Sequence, residues 1–101
     1  MQLSAEAAQR QVRRLAATSS NLVWTDHIYE QMAERGIDAD DVMSVLRGGY
    51  VDDDPTQGKK PNDWKAEVSL KLKDRRVAVV VTVIEDDKRL ILVTAFWRDR
   101  T

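Results

Sequence analysis

Cysteine is absent from the 101 residues, which excludes disulfides, thiolate metal sites and a cysteine nucleophile. Histidine occurs once, as His27, so a zinc site built from several imidazoles is excluded too. Neither sign of charge dominates. Sixteen Lys and Arg face seventeen Asp and Glu, for a net charge of −1 and a pI of about 5.8. A protein that coats nucleic acid without specificity would show a basic excess; a local basic patch remains open. No apolar run approaches the roughly 18 residues that span a bilayer. The opening Met1-Gln2-Leu3-Ser4-Ala5-Glu6 has no basic segment leading into an apolar stretch, so a cytoplasmic protein with no membrane partner is expected. What is present, 43% hydrophobic and 33% charged residues, is the balance of one globular domain over residues 1–101.

Composition shifts once, near residue 50, from helical to strand-forming. A first helix is expected over about Ala5–Ala17, with Ser4 as N-cap and Leu3, Ala8, Val12 and Leu15 as its apolar stripe. Thr18-Ser19-Ser20-Asn21 ends it, so residues 1–21 read as an N-terminal helical extension to a core of 22–101. A second helix over Asp26–Arg35, capped by Thr25, turns Ile28 and Met32 to the core. Beside them run His27, Gln31 and Arg35 at i, i+4, i+8. Gly36 suits a left-handed helix end. A third helix starts at Asp38, has Asp41 in its first turn, buries Val42, Val45 and Leu46, and stops at Gly48-Gly49.

Tyr50 to Asp54 reads as the start of an edge strand, and residues 55–63 as a polar loop carrying Lys59 and Lys60. Residues 64–73 alternate cleanly. Trp64, Ala66, Val68, Leu70 and Leu72 share one face; Lys65, Glu67, Ser69, Lys71 and Lys73 share the other. Asp74-Arg75 is the expected turn. Val77–Ile84 is Val/Ile/Thr-rich, as in a central strand. Residues 90–98 close a meander, with Ile91, Val93, Ala95 and Trp97 expected on one face and Leu90, Leu92, Thr94, Phe96 and Arg98 on the other. The expected class is α+β, with N-terminal helices packed on a curved antiparallel sheet of three to four strands.

The stretch His27-Ile28-Tyr29-Glu30-Gln31-Met32-Ala33-Glu34-Arg35-Gly36-Ile37, with Asp40 to Leu46 and the ending Leu92-Val93-Thr94-Ala95-Phe96-Trp97, resembles a bacterial family of small uncharacterised domains. That family carries the pattern H-x3-R-M-x2-R-G-I and is placed near the RelE/ParE/BrnT toxins. The resemblance covers about residues 24–98. It implies a RelE-like fold and a toxin of a type II toxin–antitoxin system, acting as a metal-independent endoribonuclease with no cofactor. It also implies a cognate antitoxin that binds DNA as partner, and RNA or the ribosome as target. A homodimer is compatible with it. Gln31 stands where the family pattern has its first arginine, which would alter any phosphate contact made there.

Metal-free RNA cleavage needs a base for the 2′-OH, an acid for the leaving 5′-oxygen and cations on the phosphate. His27 is the candidate acid/base. Arg35, two helical turns on, lies about 12 Å along the axis, so it suits a neighbouring phosphate. The alternatives are a structural hydrogen bond for His27 and a pairing with Asp38, Asp40 or Asp41 for Arg35. Lys71 and Arg98 complete the candidate catalytic set. RNA-binding candidates are Lys60 on the loop, Lys65 and Lys73 on the basic strand face, and Trp97 with Arg100 as a stacking-plus-phosphate grip. Arg76 can join the basic face from the next strand. A solvated sheet face, or a core Trp97 before a fraying tail, is the competing reading. Asp52-Asp53-Asp54 is expected to be an acidic edge rather than a metal site. A binding module without chemistry, or a ParE-like inhibitor working by protein contact, is the alternative function.

Overall fold

The computed structural model describes residues 3–98. The chain forms α1 (Ala5–Ala16), a 3-10 turn (Ser19–Asn21), β1 (Leu22–Trp24), α2 (Asp26–Arg35), α3 (Ala39–Gly48), β2 (Thr56–Gln57), β3 (Asp63–Leu72), β4 (Arg75–Ile84) and β5 (Arg89–Trp97). Among the described residues, three helices and one sheet make an α+β architecture. The sheet has five strands in the order β1-β5-β4-β3-β2, rather than the three or four expected. The two additional strands are edge pieces of three and two residues. They exist because a long neighbour offers free backbone groups: β1 runs parallel to β5, and β2 antiparallel to β3. The edge strand expected at Tyr50–Asp54 reduces to one bridge, Tyr50 with Ser69, and pairing resumes only at Thr56.

The helix ends follow local chemistry. Ser4 and Thr25 accept from the amides of Ala7 and Ile28, each at 3.1 Å. Asp38 and Asp41 form a reciprocal capping box at 2.8 and 3.2 Å. Such a cap is worth about 1 kcal/mol. Gly36 closes α2 at φ +67°, where a Cβ would be strained. Gly49 closes α3 for another reason, since its φ is −81°. A Cβ there would stand 2.9 Å from the Ser69 carbonyl oxygen and closer still to that of Val45. The helix thus ends by pressing its backbone against β3. α1 and α3 also cap each other: Arg13 donates to the carbonyls of Gly48 and Gly49, and Arg47 to that of Ala16.

All three helices lie on one sheet face. Their buried residues, including Ala8, Val12 and Leu15 of α1, join Val77, Val79, Val81, Val83, Leu90 and Leu92 in one core. A fully buried Val or Leu contributes about 1.5–3 kcal/mol. In β3 the alternation holds, with Trp64, Ala66 and Val68 buried and Lys65, Glu67 and Lys71 exposed. In β5 the expected faces do not hold. The register with β4 shifts between Val80 and Val81, so Val80 opposes Thr94 while Val81 opposes Leu92. Val93 is the surplus residue of a bulge, and a bulge moves every later side chain to the opposite face. Leu90, Leu92 and Ala95 therefore share the core face, while Ile91, Thr94 and Phe96 share the other. Lys73 also departs from expectation. The turn is Lys73-Asp74, with Lys73 at φ +59°, so Lys73 sits at the hairpin tip and not on the basic strand face.

Candidate functional site

The helix-free sheet face carries Lys65, Glu67, Ser69 and Lys71 from β3, opposite Thr82, Val80, Ala78 and Arg76 of β4. At the end of β5, Phe96 pairs with Ala78, and the Arg98 amide donates to the Arg76 carbonyl at 2.8 Å. This register returns Arg98 beside Arg76. Both guanidinium groups then meet one hydroxyl: Arg76 Nη1 lies 3.3 Å and Arg98 Nη1 2.9 Å from Ser69 Oγ. Ser69 is 1% exposed, so this hydroxyl is a fixed hub. Its two lone pairs accept both donors. The two cationic nitrogens lie no further apart than the sum of those two distances.

Two like charges so close need compensation. Arg98 Nη1 binds Asp52 Oδ2 at 2.8 Å, and Arg98 Nε lies 3.5 Å from Glu67 Oε2. The Arg98 guanidinium is held above its ordinary pKa, first by the hydrogen bond to Asp52, with slight burial opposing and the charges of Glu67, Asp52 and Asp53 adding. No ion pair to Arg76 occurs among the described residues. A groove of about 240 Å³ opens here, walled by Asp52 to Thr56 on one side and by Lys65, Glu67, Val80 and Arg98 on the other. A second depression joins Tyr50, Asp52, Arg76 and Arg98. The cluster offers two guanidinium donors for an anionic oxygen, with a carboxylate beside them.

His27 and Arg35 belong to another cleft. They line it with Gln31, Thr94, Phe96 and Trp97, in a volume of about 510 Å³ where α2 covers the edge of β5. His27 is exposed. Arg35 Nη1 donates to the Ala95 carbonyl at 2.7 Å, and Trp97 Nε1 to the Arg35 carbonyl at 2.7 Å. The pairing expected for Arg35 with Asp38, Asp40 or Asp41 does not form; the sheet edge takes its donor. Arg75 covers one face of the Trp97 indole at 3.8 Å from the ring centre. With its N–H bonded and one face covered, Trp97 is an anchor of α2 on β5.

The candidate catalytic set is thus divided. His27 and Arg35 share the α2 cleft, Arg98 joins Arg76 and Ser69 on the open sheet face, and Lys71 stands exposed opposite Arg76 without lining either groove. The cleft of His27 and Arg35 shares no lining residue with the grooves at Arg76 and Arg98. Lys65 lines the sheet-face grooves. Lys60 is exposed on the loop, where Gln57 Nε2 binds its carbonyl at 2.8 Å. Arg100 lies outside the described residues. Sequence reasoning passed over the Ser69 hub and gave Glu67 no role. The signal available was the pairing register, which places Arg76 and Arg98 side by side in the row next to that of Ser69, on the same sheet face. Among the described residues no cluster of three His, Asp or Glu suits a metal ion. The carboxylates of Asp52 and Asp54 are occupied by Arg98 and by the Ala5 amide at 2.8 Å. No helix among the described residues is long and apolar enough to cross a membrane.

A family model described as a domain of unknown function, DUF4258, matches residues 24–97. The chain belongs to that family. The DUF4258 match runs from Trp24 in β1 to Trp97 in β5, so it includes the α2 cleft, Glu67, Ser69 and Arg76, leaves α1 outside, and stops one residue short of Arg98. No curated protein and no solved structure matches the chain.

Proposed function

We propose that this DUF4258 protein is the toxin component of a type II toxin–antitoxin system, with a RelE-like fold, and that it cleaves RNA at the open sheet face without a metal. The observation that supports this reading is the convergence of Arg76 and Arg98 on the buried hydroxyl of Ser69. Bringing two guanidinium groups together costs electrostatic energy that a plain solvated sheet face has no reason to spend. A phosphodiester recovers it, because its oxygens match the planar donors of arginine.

In this reading Arg76 and Arg98 hold the scissile phosphate and stabilise the charge that develops on it. Glu67 takes the proton of the 2′-OH, whose oxygen attacks phosphorus. Lys65, two residues away on the same face, gives a proton to the leaving 5′-oxygen. The products are a 2′,3′-cyclic phosphate and a free 5′-hydroxyl. His27, Arg35 and Phe96 line the next cleft, suited to a neighbouring nucleotide. The partners of this reading are RNA, bare or on the ribosome, and a cognate antitoxin.

Incubation of the purified protein with single-stranded RNA, with and without ribosomes, tests the reading. Fragments ending in a 2′,3′-cyclic phosphate are expected. Intact RNA under both conditions contradicts it.

A second reading, a module that works by protein contact, is favoured by a different observation. The open face also carries an apolar groove of about 540 Å³ floored by Thr82, Ile84, Ile91 and Val93, with Lys59 and Lys65 at its rim. In that case Ile91→Ser abolishes capture of a bacterial protein partner while RNA stays intact with the parent protein.

A further inference from the structure

The acidic run at residues 52–54 has a place in the fold that its sequence alone does not explain. It lies on a strap anchored at both ends along the outer edge of β3. At one end Tyr50 bridges Ser69; at the other Thr56 pairs with Lys65. The strap takes two more residues than β3 does to cover the same span, so it bulges at the sheet edge. Its crest is tied to α1, where the Val51 amide donates to Gln9 Oε1 at 2.9 Å and Asp54 Oδ1 accepts from the Ala5 amide at 2.8 Å. Held this way, the strap presents Asp52 to Arg98 at 2.8 Å.

We propose that Asp52 is a built-in phosphate mimic that occupies the Arg98 guanidinium in the resting protein and must swing away before a phosphodiester of RNA can bind, so that the Asp52 side chain, presented by the fixed 51–55 strap, gates the Arg76–Arg98 site. The inference rests on the phosphodiester reading of that site. A carboxylate oxygen is the same kind of anionic acceptor for arginine as a phosphate oxygen, and Asp52 presents one of its two, Oδ2, to Arg98 Nη1. The gate is weak by construction. Asp52 and Arg98 side chains are 54% and 35% exposed, and an exposed pair of this kind favours its closed form by no more than about fivefold. An incoming phosphate can displace it, whereas a buried pair would resist. Glu67, at 3.5 Å, remains beside Arg98 when Asp52 leaves, so the guanidinium is not stranded. Asp53 adds negative potential without a hydrogen bond to Arg98, and it supplies the control.

The experiment measures binding of a fluorescein-labelled, 2′-O-methylated 12-nucleotide single-stranded RNA by anisotropy at fixed low salt. That probe cannot be cleaved, so binding is read apart from chemistry. Asp52→Asn is expected to tighten binding about fivefold, the equivalent of losing one exposed ion pair. Asp53→Asn removes the same charge from the neighbouring residue and is expected to change binding no more than about twofold. Asp52→Glu keeps a carboxylate and should bind as the parent does. Arg98→Ala in the Asp52→Asn background should erase the gain. Circular dichroism melting checks that each variant is folded, and Asp52→Ser replaces the Asn variant if that one is not. Equal gains from the two Asn variants, no gain from Asp52→Asn, or a gain that survives Arg98→Ala overturns the gate. A gain in a protein that leaves cleavable RNA intact keeps the gate and removes the nuclease. Failure of every variant to bind the probe overturns the shared site.

Discussion

The indole nitrogen of Trp97 donates to the main-chain carbonyl of Arg35 at 2.7 Å, while the Arg35 side chain donates back to the Ala95 carbonyl at 2.7 Å. This reciprocal clasp locks the C-terminal turn of α2 to the stretch of β5 that β1 no longer covers, since β1 pairs only as far as Leu92. It fixes the cleft of His27 and holds the strand from which Arg98 departs.

Trp97→Phe keeps the ring over Arg75 but deletes the donor, leaving the Arg35 carbonyl short of a partner. The expected cost is about 1–2 kcal/mol in urea unfolding. Affinity for the 2′-O-methylated RNA probe should change less than about threefold, because the ring anchors α2 and does not serve as a stacking surface. A tenfold loss of affinity with unchanged stability would restore Trp97 as an RNA contact.

Gly49→Ala tests the close approach of α3 to β3. The added methyl meets the carbonyl oxygens of Val45 and Ser69, both main-chain atoms with little room to yield. Destabilisation of about 1–3 kcal/mol is expected. The site should suffer with it, because Gly49 presses on the backbone of the residue whose hydroxyl is the hub. Gly48→Ala should be tolerated, since a methyl group there meets nothing within 4 Å.

Glu67→Gln and His27→Ala separate the two clefts. With Glu67 as the base, Glu67→Gln should lower single-turnover RNA cleavage by about 100-fold or more, the usual size of a general-base contribution. His27→Ala should lower it less than about tenfold and leave stability within about 0.5 kcal/mol, since the side chain is exposed. The reverse ranking would move the chemistry to the α2 cleft.

Much of this fold is legible from local chemistry. Ser4, Thr25 and the Asp38/Asp41 pair announce helix starts because their side chains satisfy free amides within four residues, and Gly36 announces an end. The alternation of β3 is legible because one face is buried and the other is not. The bulge at Val93 is not legible, since Leu90 to Trp97 is apolar or neutral on both faces and either assignment fits the pattern. β1 and β2 are too short to announce themselves and are made by their neighbours. The site follows the same rule. His27 stands out by its chemistry, and the grouping with Gln31 and Arg35 follows from helical spacing. The Ser69 hub depends on three residues from β3, β4 and the end of β5, which only the pairing register brings together. Lys73 shows the converse: a one-residue shift of a turn removed it from the face to which alternation assigned it.

The most direct test of the central claim is the rate of cyclic-phosphate formation from single-stranded RNA, with the ribosome present if it is required, for the parent protein against Arg98→Ala and Arg76→Ala. Loss of about 100-fold or more in each variant, with melting temperatures close to that of the parent, is the predicted result. Cleavage by either variant at the parent rate would contradict the claim that the paired arginines on Ser69 hold the scissile phosphate.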